Sequence, residues 1–263
     1  MAAGYRAPGR CCPLHQRPIA LAAAGQQTCR LTFREPNGGL HDAFKVWALL
    51  RAKGIREAVT IPHHSCDSDH PTNWEAHDPE YQTLVEIFQC RQSQEYEGCP
   101  RQAPFATMYN QSYVQDALRK GYRLGFIASG DHQNMGEGVA AVLVREVSRA
   151  GIVEALKARR CYGTTGDKIF LDFRVDGHFM GEEFTSSQRS QIEAIVEGSD
   201  LLESVTVFCN GRIVAEHSGS DLAGKTGVQL QFADDTRDHR YYYLRAVQKN
   251  GEIAWSSPVW VNA

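Results

Sequence analysis

The sequence contains no C-x-x-C pair, no apolar run long enough to cross a bilayer and no block of a single charge sign. Each absence removes a class of protein. Without paired cysteines, a structural zinc knuckle has no ligands at the required spacing. The eight cysteines (Cys11, Cys12, Cys29, Cys66, Cys90, Cys99, Cys161 and Cys209) are too scattered for a disulfide framework and read as buried or incidental thiols. A transmembrane helix takes roughly 20 consecutive apolar residues, so no membrane span is expected. The formal net charge is −3, with both signs mixed along the chain. That leaves neither the basic stripe of a nucleic-acid binder nor a like-charge tail. What remains is an ordinary globular composition over 263 residues, enough for one large domain or two modest ones.

Residues 1–38 are rich in Ala, Arg, Gly and Pro without a sustained period, and read as an irregular segment. The apolar stretch at 18–25 follows basic residues and is faintly similar to a signal-peptide core, whose lower limit is about 7 residues. A cytoplasmic location is favoured over that alternative. From Gly39 the pattern becomes structured. Residues 41–53 place Phe44, Trp47, Ala48 and Leu50 at helical spacing, and Gly54 supplies a stop. A short apolar strand at 58–61 ends at Pro62-His63-His64. Further strands are expected at 84–88 and 124–128, a fourth apolar run at 139–144, and helices at 114–120 and 148–160. The long polar stretch at 89–107 exceeds the length of an ordinary loop, roughly 12–15 residues, which marks such segments as functional or disordered.

After residue 167 the period switches from 3.6 to 2. Short alternating segments at 168–175, 191–197, 204–208, 212–215, 228–232, 241–247 and 255–261 follow one another without helices. Asn210-Gly211 and Asn250-Gly251 are hairpin-turn signals. This spacing indicates a small antiparallel β-sandwich. Three parts follow: an irregular segment at 1–38, an α/β region at 39–167 and a β-sandwich domain at 168–263.

The residues able to do chemistry gather where the α/β strands end. The strand at 58–61 runs into His63 and His64, and that at 124–128 into Asp131 and His132, with Glu86 inside the strand between them. Imidazole and carboxylate are the ligand types of divalent Zn, Mn or Fe, and a metal held by them activates a bound water and polarises a phosphoryl or carbonyl oxygen. Neighbours on a regular strand face opposite sides. One of His63 and His64 is therefore expected as a ligand, or both if the strand has already ended. Arg91 and His77, on the loops beside these strands, are candidates for contacting an anionic substrate, against the plainer reading of solvated loop residues.

The segments Ile61-Pro62-His63-His64-Ser65, Leu84-Val85-Glu86-Ile87-Phe88, Leu124 through His132, and Ala158 through Asp167 occur in an order that resembles an uncharacterised family of the PHP (polymerase and histidinol phosphatase) superfamily. Met180-Gly181-Glu182-Glu183 and the closing stretch from Trp255 to Val261 extend the resemblance over about 220 residues from near Gly39. The resemblance implies a distorted (β/α) barrel, here only its C-terminal part, with a divalent-metal cluster at the strand ends. It implies metal ligation by His63 or His64, by Asp131 and by His132, with Glu86 as ligand or orienter and Asp131 and His132 as catalytic groups. Two departures are visible. PHP proteins open with an H-x-H strand, and no H-x-H occurs in this sequence; many carry D-x-H, whereas His132 follows Asp131 directly.

The combined expectation is an α/β protein, a partial PHP-type barrel followed by a β-sandwich, acting as a metal-dependent hydrolase on a phosphoester or related bond. The alternative is a non-catalytic fragment or binding module with a degenerate metal site. No membrane or nucleic-acid partner is expected. An unfinished barrel exposes strand edges and apolar surface, so homo-oligomerisation is expected.

Overall fold

A computed structural model of the chain describes residues 43–67, 71–102, 112–131 and 136–263. The segment at 1–38, His70, the end of the polar stretch at 89–107 and His132 lie outside the described residues. In chain order the elements are α1 (Ala43–Ala52), β1 (Leu84–Gln89), β2 (Gln92–Ser93), α2 (Val114–Arg119), β3 (Gly125–Ser129), β4 (Val139–Val142), α3 (Arg149–Lys157) and β5 (Cys161–Thr164). There follow β6 (Phe170–Val175), β7 (His178–Phe179), β8 (Glu183–Thr185), β9 (Ser190–Glu197), β10 (Leu202–Cys209), β11 (Arg212–Ser218), β12 (Gly227–Asp234), β13 (Arg240–Gln248), β14 (Ile253–Ser256) and β15 (Val259–Asn262).

Three sheets are built from these strands. An eight-stranded sheet runs β11-β10-β13-β14-β5-β4, with β15 and β8 joined beside β13. A four-stranded sheet runs β12-β9-β6-β7, and a three-stranded sheet runs β2-β1-β3. The four-stranded sheet lies against one face of the large one. Their shared core holds Leu171, Phe173, Ile192 and Val196 from one side and Val207, Tyr242, Leu244 and Val261 from the other. On the opposite face of the large sheet Phe208, Tyr241, Tyr243, Trp255 and Trp260 pack against Ile87, Phe88, Val114, Leu118 and Phe126 of the small sheet and α2. Side-chain alternation explains both cores at once: Tyr242 faces one way while Tyr241 and Tyr243 face the other. A sheet covered on two faces buries consecutive residues, and β13 is buried at eight of nine positions. The outer β9 has one wet face and alternates strictly between buried and exposed.

The expected (β/α) barrel is not present. The described residues hold three α-helices, and the parallel pairs are β1 with β3 and β15 with β8; the other pairings are antiparallel. The architecture is β-rich and sandwich-like. Two segments account for the difference. Residues 58–61 form no strand. Thr60 N–H donates to the Tyr81 carbonyl at 2.8 Å and the Pro62 carbonyl accepts from Glu86 N–H at 3.3 Å, isolated bonds rather than a ladder, and Pro62 has no N–H to extend one. The run expected as a fourth α/β strand pairs as β4 in antiparallel register with β5, Val139 opposite Thr164, which brings both into the large sheet. A short apolar run has the same periodicity in either kind of sheet, so the sequence does not separate the two outcomes.

Elsewhere the segments lie where periodicity placed them. Ser148 caps α3, its hydroxyl accepting from Gly151 N–H at 3.0 Å. Asn210 and Gly211 have φ of 50° and 76°, and Cys209 pairs with Arg212 across them, the geometry of a two-residue type I′ turn. The Asn250-Gly251 turn is one residue longer. Gln248 N–H donates to the Glu252 carbonyl, and Gly251 alone is left-handed, with φ 85°. The expected single strand at 255–261 divides into β14 and β15 around Ser257-Pro258.

Candidate metal centre

The segment that carries the histidines is held from below by α1. Val46, Trp47 and Leu50 bury one face of that helix against Ile55, Ala58 and Tyr81, each large side chain contributing about 1.5–3 kcal/mol. The Trp47 indole N–H donates to the Thr60 hydroxyl at 3.0 Å, and the Tyr81 hydroxyl to the Ile55 carbonyl at 2.9 Å. These contacts fix the chain just before Pro62. It then bends at His64, whose φ is 57°. Because there is no strand here, the alternation that would separate neighbouring side chains does not apply, and the His63 and His64 rings come together with centroids 3.7 Å apart.

Asp131 reaches the same place from the end of β3, also with a left-handed backbone at φ 56°. His63, His64 and Asp131 present donor atoms that all lie within 4.8 Å of one another. His63 Nε2 is 4.0 Å from Asp131 Oδ1, and His64 Nε2 is 3.9 Å from Asp131 Oδ2. Donors bound to one ion at about 2.0–2.2 Å in tetrahedral geometry stand ~3.3 Å apart. Small side-chain rotations close that gap. Left-handed φ at non-glycine residues costs energy and persists where the surroundings impose it. Here it occurs at two of the three converging groups.

The surrounding hydrogen bonds set the protonation of both rings. Glu86, buried in β1, accepts from His63 Nδ1–H at 2.8 Å, from His64 backbone N–H at 3.3 Å and from the Ser129 hydroxyl. A carboxylate accepts, so His63 Nδ1 carries a proton, and Nε2, the nitrogen that faces Asp131, is the one left to give up its proton to a metal. This is the carboxylate–imidazole arrangement that orients metal-binding histidines. Burial opposes the charged form of His63, but the Glu86 hydrogen bond and the charges of Glu86 and Asp131 outweigh it and raise its pKa. For His64, burial and the neighbouring His63 prevail over the pull of Glu86 and Asp67, and the pKa is pushed down to about 4. His64 is therefore a neutral imidazole at pH 7. It is 4% exposed, and neither ring nitrogen has a hydrogen-bond partner among the described residues. Leaving such a group unpartnered costs about 1–3 kcal/mol.

Asp131 is positioned by two donors at Oδ2, Gln89 Nε2 and Arg91 Nη2, both at 2.9 Å. Gln89 also accepts from Arg91 backbone N–H at 3.0 Å. Side-chain exposure rises from His64 at 5% through Asp131 at 11% and His63 at 26% to Arg91 at 41%, so the cluster opens to solvent on the Arg91 side. Of the residues singled out from sequence, the structure brings together His63, His64, Asp131, Glu86 and Arg91. Glu86 sits as an orienter of His63, and Arg91 as an ion-pair partner of Asp131. His77 lies elsewhere, bonded to Gln82 at 2.6 Å and stacked on Tyr122 at 3.9 Å. Gln89 and Ser129 were not singled out as site residues. The available signal was that β1, buried along its whole length, carries two polar residues, Glu86 and Gln89, and buried polar groups have partners.

No family profile matches the sequence. A protein of Chlamydia trachomatis is 28% identical over an alignment that covers 88% of this chain and 43% of its own length; one of Chlamydia pneumoniae is 28% identical, covering 78% and 38%. Both carry only the name "Uncharacterized protein". The chain spans about two-fifths of the length of these curated relatives. Among solved structures, the fibronectin(III)-like modules of Clostridium thermocellum CbhA match 34% of the chain and 94% of their own at 16% identity and a TM-score of 0.25. A Jonesia denitrificans lytic polysaccharide monooxygenase matches 47% and 77% at 10% identity and the same score. Such scores carry no argument about fold or function. Nothing among these proteins points to the PHP superfamily, and with the barrel absent the assignment to that superfamily, and through it to the hydrolases, has no support. No helix among the described residues is long and apolar enough to cross a membrane.

Proposed function

We propose that this chain binds one divalent transition-metal ion through His63 Nε2, His64 Nε2 and Asp131, and that binding this ion is central to its function. The observation that carries the reading is His64: a buried, neutral imidazole without a hydrogen-bond partner among the described residues, its Nε2 3.9 Å from a carboxylate oxygen. A metal satisfies that nitrogen, and Glu86 has already set the tautomer of the second ligand. Two imidazoles and one carboxylate suit Zn, Mn or Fe, and three protein ligands leave coordination positions for water. When bound, the ion supplies a Lewis acid and an acidified water. His63, Asp131 and Arg91 line the opening through which a ligand arrives.

Metal content after equilibration with zinc tests this. The wild-type chain is expected to hold about one ion. His64→Asn and Asp131→Asn, chosen because asparagine accepts a left-handed backbone, are expected to lose it with unchanged circular dichroism. Glu86→Gln touches no metal and is expected to weaken binding by roughly 10–100-fold. A wild-type chain that retains no zinc at micromolar concentration sinks the proposal.

A further inference from the structure

The partner of Asp131 on the solvent side is a cation. Arg91 Nη2 lies 2.9 Å from Asp131 Oδ2, the same oxygen that stands 3.9 Å from His64 Nε2. A metal bound at that oxygen, at about 2.1 Å, lies within roughly 5 Å of the guanidinium nitrogen. Metal and guanidinium then share one carboxylate. Solvent at Arg91 screens their repulsion only in part, because Asp131 between them is largely buried and Gln89, which also holds Oδ2, is fully so. The guanidinium is also the most exposed part of the cluster, and its planar fork is suited to two oxygens of one anion.

We propose that Arg91 makes the metal centre a composite site for a small oxyanion, which places one oxygen on the metal and others on the guanidinium, so that metal and oxyanion each strengthen the binding of the other. The inference rests on the metal reading above. Without the anion, Arg91 competes with the metal for Asp131. With it, the guanidinium turns from Asp131 toward the anion, the metal gains an oxygen ligand, and the repulsion between the two cations is relieved. Linkage makes the effect reciprocal: the factor by which the oxyanion tightens metal binding is the factor by which the metal tightens oxyanion binding.

The experiment is a zinc titration against a chromophoric chelator, in sodium sulfate and in sodium chloride at matched ionic strength. For the full wild-type chain, zinc is expected to bind about fivefold tighter or more in sulfate, the lower end of ordinary coupling. Arg91→Gln keeps a donor for Asp131 but removes the charge. It is expected to bind zinc tighter than wild type in chloride and to show no gain in sulfate. Arg91→Lys keeps the charge without the fork and is expected to show a reduced gain. Equal zinc affinity of the wild type in the two salts overturns the coupling while leaving the metal reading intact. An unchanged sulfate gain in Arg91→Gln removes Arg91 from it. No zinc binding in either salt is the separate result that overturns the metal reading and the coupling with it.

Discussion

The β-sandwich and the small lobe that carries His63, His64 and Asp131 satisfy their buried groups in opposite ways. In the sandwich the backbone ladders do the work. Strands β6, β9 and β12 pair along their lengths, and their inward residues are mostly aliphatic. In the lobe, residues 58–67 and the turn after β3 have no ladder, and side chains take over: Glu86 holds His63 and His64, Gln89 holds Asp131, and Gln94 accepts from the backbone N–H and the thiol of Cys66. Repetition makes the sandwich tolerant of single changes. The lobe depends on individual polar residues, and those are the groups that can bind something.

The two regions are nevertheless joined by a buried charge. Glu95, fully buried after β2, accepts from Arg245 Nη1 at 2.8 Å, Trp255 Nε1 at 2.9 Å and the Tyr243 hydroxyl at 2.7 Å, all from the large sheet. The largest effect is expected of Glu95→Ala, which strands a buried guanidinium. It is expected to cost about 3–5 kcal/mol, measured by urea denaturation, with circular dichroism and tryptophan fluorescence following one transition. Two separate transitions would mean that lobe and sandwich are thermodynamically independent. Gly163 on β5 is a second junction, since a Cβ there stands 2.9 Å from the backbone of Ile127 and Ala128 in β3. Gly163→Ala is expected to cost about 1–3 kcal/mol by overpacking; a neutral result would show that the lobe slides freely on the sheet.

The smallest effect is a pH slope inside the lobe. Burial lowers the pKa of His77 against the opposing pull of Gln82 and Asp78. The folded state therefore favours the neutral ring. Its contribution is complete above the unfolded value of about 6.5 and is lost as the pH falls through the lower folded value. His77→Gln is expected to reduce the fall in stability below about 6.5 while leaving the larger part due to His64, whose pKa lies at about 4, read from denaturation midpoints at a series of pH values. An unchanged slope would place the titration on another group.

How legible each region is in the sequence follows the same division. Alternation places β6, β9 and β12 to within a few residues, because a strand with one wet face writes its period into its residue types. Tyr241-Tyr242-Tyr243 sits on the strand that is covered on both faces, and all three are buried. The barrel expectation was wrong because it needed the pairing partners and directions of short apolar runs, which their own residues do not encode. His63, His64 and Asp131 stand out as residue types suited to metal. Their convergence depends on two left-handed bends, and residue type alone does not announce those. Gln89 reaches Asp131, and Ser129 reaches Glu86, across more than 40 positions in sequence, beyond the reach of any local pattern.

The left-handed backbone at His64 and Asp131 also shapes how this site can be lost over generations. Few side chains other than glycine enter that region readily; asparagine, aspartate and histidine are the main ones. Asparagine is a single base change from both histidine and aspartate, so the substitutions that abolish the ligands most directly are also ones that these bends accept. A lineage can therefore lose the proposed ligands without giving up its fold. Among the longer relatives, asparagine at both positions would mark chains that have done so.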